Sequence, residues 1–197
     1  MCSRYEMRAA PRDIAERFRV RGEVPLDLAK SEVRPTDPAP IIVRVGTLRL
    51  ARAARFGLSV TWDKMPVINA RAETLAQKPT FRPLLENRCV IPASAYFEWR
   101  QDGKARRRNR IALLDKNLMG FAGLFNDDSF VIITCAPATV IASIHDRMPV
   151  ILPHDAEDAW LDPANDALDT LLATYAGTLA AVEEPRKVPA QGDLFGG

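Results

Sequence analysis

Apolar and polar positions along this chain alternate mostly at strand spacing, with helical spacing confined to short stretches. Residues 13–20 place Ile14 and Phe18 four apart behind Pro11, the pattern of a short amphipathic helix. Residues 31–40 carry Pro35, Pro38 and Pro40 and read as an extended loop. Residues 40–45 and 48–57 read as two strands around a Gly46-Thr47 turn. The second sets Leu48, Leu50 and Ala51 against Arg49, Arg52 and Arg55, which predicts a greasy face and a basic face. Residues 59–83 show no period, and a connection of that length is often functional. Residues 89–99 read as a strand interrupted at Pro92, followed by a Gln101-Asp102-Gly103 turn. Residues 111–114, 119–124 and 130–134 read as the strands of a meander, 140–144 as a helical turn and 150–152 as a short strand. Two helices are expected at 155–161 and 164–175. The sum is an α+β fold, mainly antiparallel strands forming a barrel-like core with peripheral helices. It makes a single domain over residues 2–180, with a flexible tail over 183–197 that holds two prolines and three glycines.

The length of 197 residues suits one domain with a real core. A hydrophobic content of 47% and a charged content of 26% are those of a soluble globular chain. No apolar run approaches the roughly 20 residues of a membrane span. The opening Met1-Cys2-Ser3-Arg4-Tyr5-Glu6 has no apolar stretch of the kind a secretory or lipoprotein signal needs, so a cytoplasmic protein is expected. The three cysteines, at 2, 89 and 135, form no paired spacing, and there are only two histidines. Neither a disulfide framework nor a zinc site is expected, and no metal or cofactor is implied. Cys89 and Cys135 lie in apolar runs and read as core residues. A net charge of +2 does not by itself indicate nucleic acid, but residues 100–110 hold a run of arginines. That run either tracks a phosphate backbone or decorates a solvated hairpin.

Four segments carry candidate chemistry. Removal of Met1 would leave Cys2 as the first residue, with an α-amine and a thiol on adjacent carbons. An α-amine titrates at about 7.7–8.0, so part of it is neutral near neutral pH and able to attack an aldehyde. The thiol can then close on the imine carbon to form a thiazolidine. In Ile68-Asn69-Ala70-Arg71-Ala72-Glu73-Thr74, Asn69 offers donor and acceptor, and Arg71 a fork suited to phosphate. In Tyr96-Phe97-Glu98-Trp99, alternation puts Phe97 and Trp99 on one face and Glu98 on the other; in a dry cleft Glu98 becomes an acid/base. In Ile144-His145-Asp146-Arg147-Met148-Pro149, His145 sits in a polar loop between apolar segments. Each segment also has a plain reading: an accident of position for Cys2, a helix cap for Asn69, a solvated carboxylate for Glu98, a structural loop histidine for His145. His154 reads as a cap or surface residue.

Together and in this order, the segments resemble the SRAP family, named for SOS-response-associated peptidase, whose members process abasic sites. The matches are Cys2-Ser3-Arg4, Asn69 to Thr74 as Asn-Ala-Arg-x-Glu-Thr, Phe97-Glu98-Trp99, and Ile144 to Pro149 as Ile-His-Asp-Arg-Met-Pro. The resemblance spans roughly residues 2–162. It implies that Cys2 forms a covalent thiazolidine with the ring-opened sugar of an abasic site in single-stranded DNA, shielding the lesion during replication and repair. It implies that Asn69 positions the terminus and the sugar, that Glu98 serves as acid/base, and that His145 protonates the sugar oxygen. Arg4 and Arg71 would bind phosphates and Trp62 would stack near a base. The chain departs from the family with Ser3 in place of Gly, Glu32-Val33-Arg34-Pro35 in place of Asn-x-x-Pro, and Phe56-Gly57-Leu58 in place of Trp-Gly-Leu. Gln191-Gly192-Asp193-Leu194-Phe195 resembles the bacterial sliding-clamp-binding pentapeptide, with Gln191, Leu194 and Phe195 as its anchors. A monomer associated with the nucleoid is expected. Two other classes remain: a thiol autopeptidase acting on its own Met1 or on peptides, and a non-catalytic adaptor between DNA and a sliding clamp.

Overall fold

A computed structural model describes residues 2–25 and 30–185. Strand β1 (Arg4–Met7) is followed by helix α1 (Pro11–Phe18). The Asp13 carboxylate accepts the Ala10 N–H, Pro11 supplies a preset φ at the first position, and Arg19 stops the helix at φ 55°. Ile14 and Phe18 are buried, as their spacing predicts. Next come β2 (Lys30–Val33), β3 (Pro38–Val45), β4 (Leu48–Phe56), β5 (Leu58–Val60), β6 (Asp63–Val67) and β7 (Asn69–Arg71). Two short 3-10 turns, Ala72–Thr74 and Arg82–Leu84, lead to β8 (Arg88–Ala93), β9 (Ala95–Asp102), β10 (Ala105–Leu113), β11 (Met119–Phe125) and β12 (Ser129–Cys135). Then follow α2 (Thr139–Ala142), β13 (Met148–Pro149), β14 (Ile151–Leu152), α3 (Glu157–Leu161), α4 (Leu168–Leu171) and β15 (Leu179–Glu183). The class is mixed α+β, mostly strands with few helices.

Two sheets face each other. The first runs β15-β10-β9-β1-β2 and is antiparallel throughout. In the second, pairing passes from β4 to β3, β8, β11 and β12, and β12 returns to β4 in parallel, so the hydrogen bonding closes on itself. Aromatic rings join the sheets. Tyr5 on β1 meets Phe56 and Phe121 edge-on at 5.8 and 6.1 Å and Tyr96 on β9 meets Phe121 at 6.0 Å, while within the second sheet Phe56 stacks on Phe130 at 5.3 Å. Cys89 and Cys135 are buried, and the Trp160 indole N–H donates to the Cys89 carbonyl at 2.9 Å.

Several expectations need correction. Residues 59–83 are not structureless: they hold the β5–β6 hairpin, β7 and the two 3-10 turns. The loop expected over 31–40 contains β2 and the start of β3. The strand break expected at Pro92 falls at Ser94, because Pro92 pairs opposite Gly120 and needs no N–H there. The 111–124 segment is not a meander, since β10 begins at Ala105 and pairs with β9 and β15 rather than with β11. The helix expected over 164–175 is reduced to α4. Arg49 does not lie on a basic face. It is buried against Glu157 (2.8 Å) and Asp158 (2.6 Å), while Leu48 is exposed. β4 ends at Phe56 because Gly57 takes φ +110°, where a Cβ would also meet the Pro66 Cβ at 2.8 Å.

Candidate active site

Antiparallel pairing of β1 with β9 puts Arg4 opposite Phe97 and Tyr5 opposite Tyr96. Cys2 therefore enters at the Glu98 end of β9. It is 0% exposed, and its thiol donates to the Arg4 carbonyl at 3.7 Å. Burial pushes the Cys2 thiol well above its ordinary pKa, and the nearby Glu98 carboxylate adds to the rise. Phe97 and Trp99 do share one face, since the Arg108 guanidinium lies over both rings at 3.7 and 5.8 Å. Glu98 points to the interior and is 2% exposed. Burial raises its pKa to about 7.

His145 approaches Glu98 from the loop after α2, with Nε2 3.8 Å from Glu98 Oε2. The Arg147 backbone N–H donates to His145 Nδ1 at 3.0 Å, so the neutral ring carries its proton on Nε2, toward Glu98. Asp146 Oδ1 lies 2.8 Å from the same Nδ1 and becomes its acceptor once the ring is doubly protonated. Burial lowers the His145 pKa, and Asp146 partly offsets this. A buried carboxyl pushed up and an imidazole pushed down give two groups able to exchange a proton near neutral pH.

The other motif supports this loop. The Arg147 guanidinium grips Glu73 with both nitrogens, at 2.7 and 2.9 Å, and donates to the Thr134 carbonyl at 2.6 Å. That hydrogen bonding holds Glu73 below the usual carboxylate range. β7 pairs in parallel with β12, with Asn69 opposite Ile132 and Arg71 opposite Thr134. Asn69 donates to the Ile68 carbonyl, and its buried Oδ1 has no hydrogen-bond partner among the described residues. Thus Cys2, Glu98 and His145 converge, and Asn69 stands on the strand that Arg147 and Glu73 tie to the histidine loop.

The residues expected to contact nucleic acid, Arg4, Arg71 and Trp62, lie on three different strands or turns. Arg4 bonds Glu32 at 3.0 Å and lies 5.6 Å from the Trp99 ring centroid. Arg71 is exposed. Trp62 is 67% exposed at the Thr61-Trp62 tip of the β5–β6 hairpin, where Val60 pairs with Asp63. Gln191, Leu194 and Phe195 lie outside the described residues. Among the described residues no group of three His, Cys, Asp or Glu side chains is placed to hold a metal, and no helix is long and apolar enough to cross a membrane.

Sequence reasoning gave no role to Tyr5 or Tyr96. Burial raises both phenols well above their ordinary pKa, and the charges of Cys2, and for Tyr96 also Glu98, add to it. Their hydroxyls are buried without hydrogen-bond partners among the described residues, which leaves unspent polar groups in the interior near Cys2. Tyr96 sits in the Tyr-Phe-Glu-Trp segment, so alternation was the available signal. A second missed feature is a cleft of about 720 Å³ beside the pocket, lined by Arg4, Trp99, Lys104, Arg106, Arg108 and Glu184 among others.

A mixed-sheet fold that brings a residue-2 cysteine against a buried glutamate paired with a half-buried histidine defines a narrow class of site, and comparison with known proteins identifies that class. The SOS response associated peptidase (SRAP) family matches residues 1–189, and the chain belongs to this family. Abasic site processing protein YoaM of Bacillus subtilis is 38% identical over 200 residues, covering 89% of this chain and 86% of that one. Abasic site processing protein YoqW of the same organism is 37% identical over 196 residues, covering 89% and 88%. The crystal structure of a protein from Bacteroides thetaiotaomicron, 26% identical, superposes with a TM-score of 0.80 over 92% of this chain and 91% of that one.

Proposed function

We propose that this protein processes abasic sites by trapping them covalently through Cys2. The observation that carries the reading is the convergence of Cys2, a Glu98 carboxyl raised to about 7 and the Nε2 of His145. Removal of Met1 creates the Cys2 α-amine. The ring-opened sugar of an abasic site presents an aldehyde at C1′. The amine adds to that carbon, and the resulting carbinolamine loses water to give an imine. The Cys2 thiol then adds across the C=N bond, sulfur to carbon and proton to nitrogen, closing the thiazolidine. Glu98, near half protonation at neutral pH, can supply the proton that the departing hydroxyl takes and accept one from the amine. His145 with its Nε2 proton can donate to the sugar ring oxygen as the ring opens. Asn69, with a free carbonyl oxygen, is suited to hold the terminus or the sugar.

The thiol environment weighs against the peptidase alternative. A thiol peptidase works through a thiolate, and Cys2 is buried, beside a carboxylate, with a raised pKa. Addition to an imine needs only a thiol with a base at hand. Arg4, Arg71 and Trp62 would hold the flanking single strand by phosphate contacts and stacking. The clamp-binding role of the Gln191–Phe195 segment is part of the same proposal and rests on the sequence alone. Intact mass spectrometry after mixing with an abasic single-stranded oligonucleotide tests the chemistry. The expected product is a 1:1 adduct on a chain lacking Met1, absent in Cys2→Ala. An adduct that survives that substitution overturns the assignment.

A further inference from the structure

Two of the arginines beside the Cys2 site, Arg4 and Arg108, are already engaged, and one carboxylate engages both. Glu32 on β2 accepts from Arg4 at 3.0 Å and Arg34 at 2.7 Å through Oε1, and from Arg108 at 2.5 Å through Oε2. Its side chain is only 14% exposed. Three guanidiniums on one carboxylate form an anion site with an anion built into it. Those hydrogen bonds hold Glu32 below the usual carboxylate range despite its partial burial.

The location gives this cluster its meaning. Arg4 and Arg108 both line the 720 Å³ cleft, together with Trp99, Lys104 and Arg106. β9–β10 pairing sets Arg108 opposite Trp99, and Arg106 also reaches within 5.9 Å of that ring centroid. Burial raises the Glu98 pKa and lowers that of His145, and Arg106 is near enough for its charge to act on both, opposing the first shift and adding to the second. Arg4, two residues from Cys2, and Trp99, next to Glu98, bring one end of the cleft beside the site. Among the described residues Lys104 and Arg106 have no ion-pair partner, while Arg108 is held by Glu32 on one side and Glu184 on the other. The same sheet carries a comparison pair away from the cleft: Arg110 bonds Glu6 at 2.6 Å, and neither residue lines the cleft.

We propose that Glu32 is an internal competitor for phosphate: it occupies Arg4 and Arg108 in the free protein and gives them up to a phosphodiester of the strand that enters the pocket. The proposal rests on the nucleic-acid reading above but concerns binding, not the covalent step. Each arginine is kept extended and in place by the carboxylate, so the cleft is ordered before the strand arrives. The competition also lowers affinity for intact strands, which carry no aldehyde to retain them after the phosphates dissociate. Glu32 therefore favours release of undamaged DNA.

The test is fluorescence anisotropy with a labelled single-stranded oligonucleotide that has no abasic site, so that covalent capture plays no part. Glu32→Gln is expected to bind roughly 3- to 10-fold more tightly than the wild type. Its affinity should fall more steeply with salt, the log–log slope growing by about 0.7 for the one cationic charge restored. Glu6→Gln, which breaks the comparison pair, is expected to bind as the wild type does. A folded Glu32→Gln protein, judged by its thermal transition, that binds no more tightly and with an unchanged slope overturns the proposal. Should Glu32→Gln fail to fold, the wild type decides. Titration with inorganic pyrophosphate should change Trp99 emission as Arg4 and Arg108 leave Glu32, and Arg108→Gln should abolish the change; constant Trp99 emission overturns the proposal. Because adduct formation on an abasic oligonucleotide is measured separately, failure here leaves the covalent reading standing, and loss of the adduct leaves this one standing.

Discussion

Glu98 shows how one residue can serve the site and burden the fold. Burial moves its pKa from the ordinary 4.5 to about 7. Between these values the unfolded chain has released the proton and the folded chain keeps it, so stability falls as pH rises through this window. Above pH 7 the folded protein holds a buried charge, a cost of roughly 1–3 kcal/mol given the shift and the partial screening at such sites. Glu98→Gln should therefore stabilise the protein at pH 8, leave its stability unchanged at pH 4, and slow adduct formation. Urea denaturation at both pH values, beside a time course of trapping, checks all three. Strand alternation put Glu98 on the face opposite Phe97 and Trp99, but it left open whether that face is buried or solvated, since alternation carries no information on which side of a sheet is covered. The approach of Glu98 to His145 was not legible, because that contact joins β9 to a loop far along the chain and depends on Arg147 fastening the loop to Glu73.

At the scale of elements, the sequence was readable where local chemistry and packing agree. α1, β3, β11 and β12 appear close to where their spacing puts them, because each buries an apolar face; β4 also lies where expected, although its faces do not. The 164–175 helix failed because side chains satisfy the backbone another way. Asp162 Oδ1 accepts the Ala164 N–H and Asn165 Oδ1 the Ala167 N–H, which turns the chain before α4 can begin. β5 was invisible because it is only three residues long, and β7 and β15 because they owe their existence to partners distant in sequence, β12 and β10. Arg49 was misread for a related reason: its strand spacing is basic, but its partner is on α3. Glu157 is 0% exposed and receives Arg49 at 2.8 Å and Arg17 at 2.9 Å, pinning α3 over β4 and α1. Glu157→Gln removes the buried carboxylate that Arg49 and Arg17 share, leaving Arg49 only Asp158 and Arg17 without its anion, and should cost about 3 kcal/mol of folding stability. Thermal denaturation compared with Asp158→Asn, whose carboxylate is exposed and whose loss should cost under about 1 kcal/mol, separates the buried pair from its surface neighbour.

At the scale of the whole molecule, the net charge of +2 conceals an uneven surface: Arg4, Lys104, Arg106 and Arg108 collect on one side of the pocket, while Trp62 projects from a hairpin tip. The two features draw on different physics. Contacts from the cleft to phosphates release counterions, so their contribution shrinks as salt rises. Stacking of a base on Trp62 releases none, and its contribution persists at high salt. Trp62→Ala should weaken binding of an intact single strand by roughly 5- to 100-fold at every salt concentration, with the salt slope unchanged. The side chain is 67% exposed, so the melting temperature should stay within a degree or so of the wild type. Arg106→Gln should behave in the opposite way, with a modest loss at low salt, little loss at high salt, and a slope shallower by about 0.7. Anisotropy titrations over a range of salt concentrations distinguish the two. If both substitutions change the slope, or neither changes affinity, the strand does not run between the hairpin tip and the cleft, and the pocket must be reached from another side.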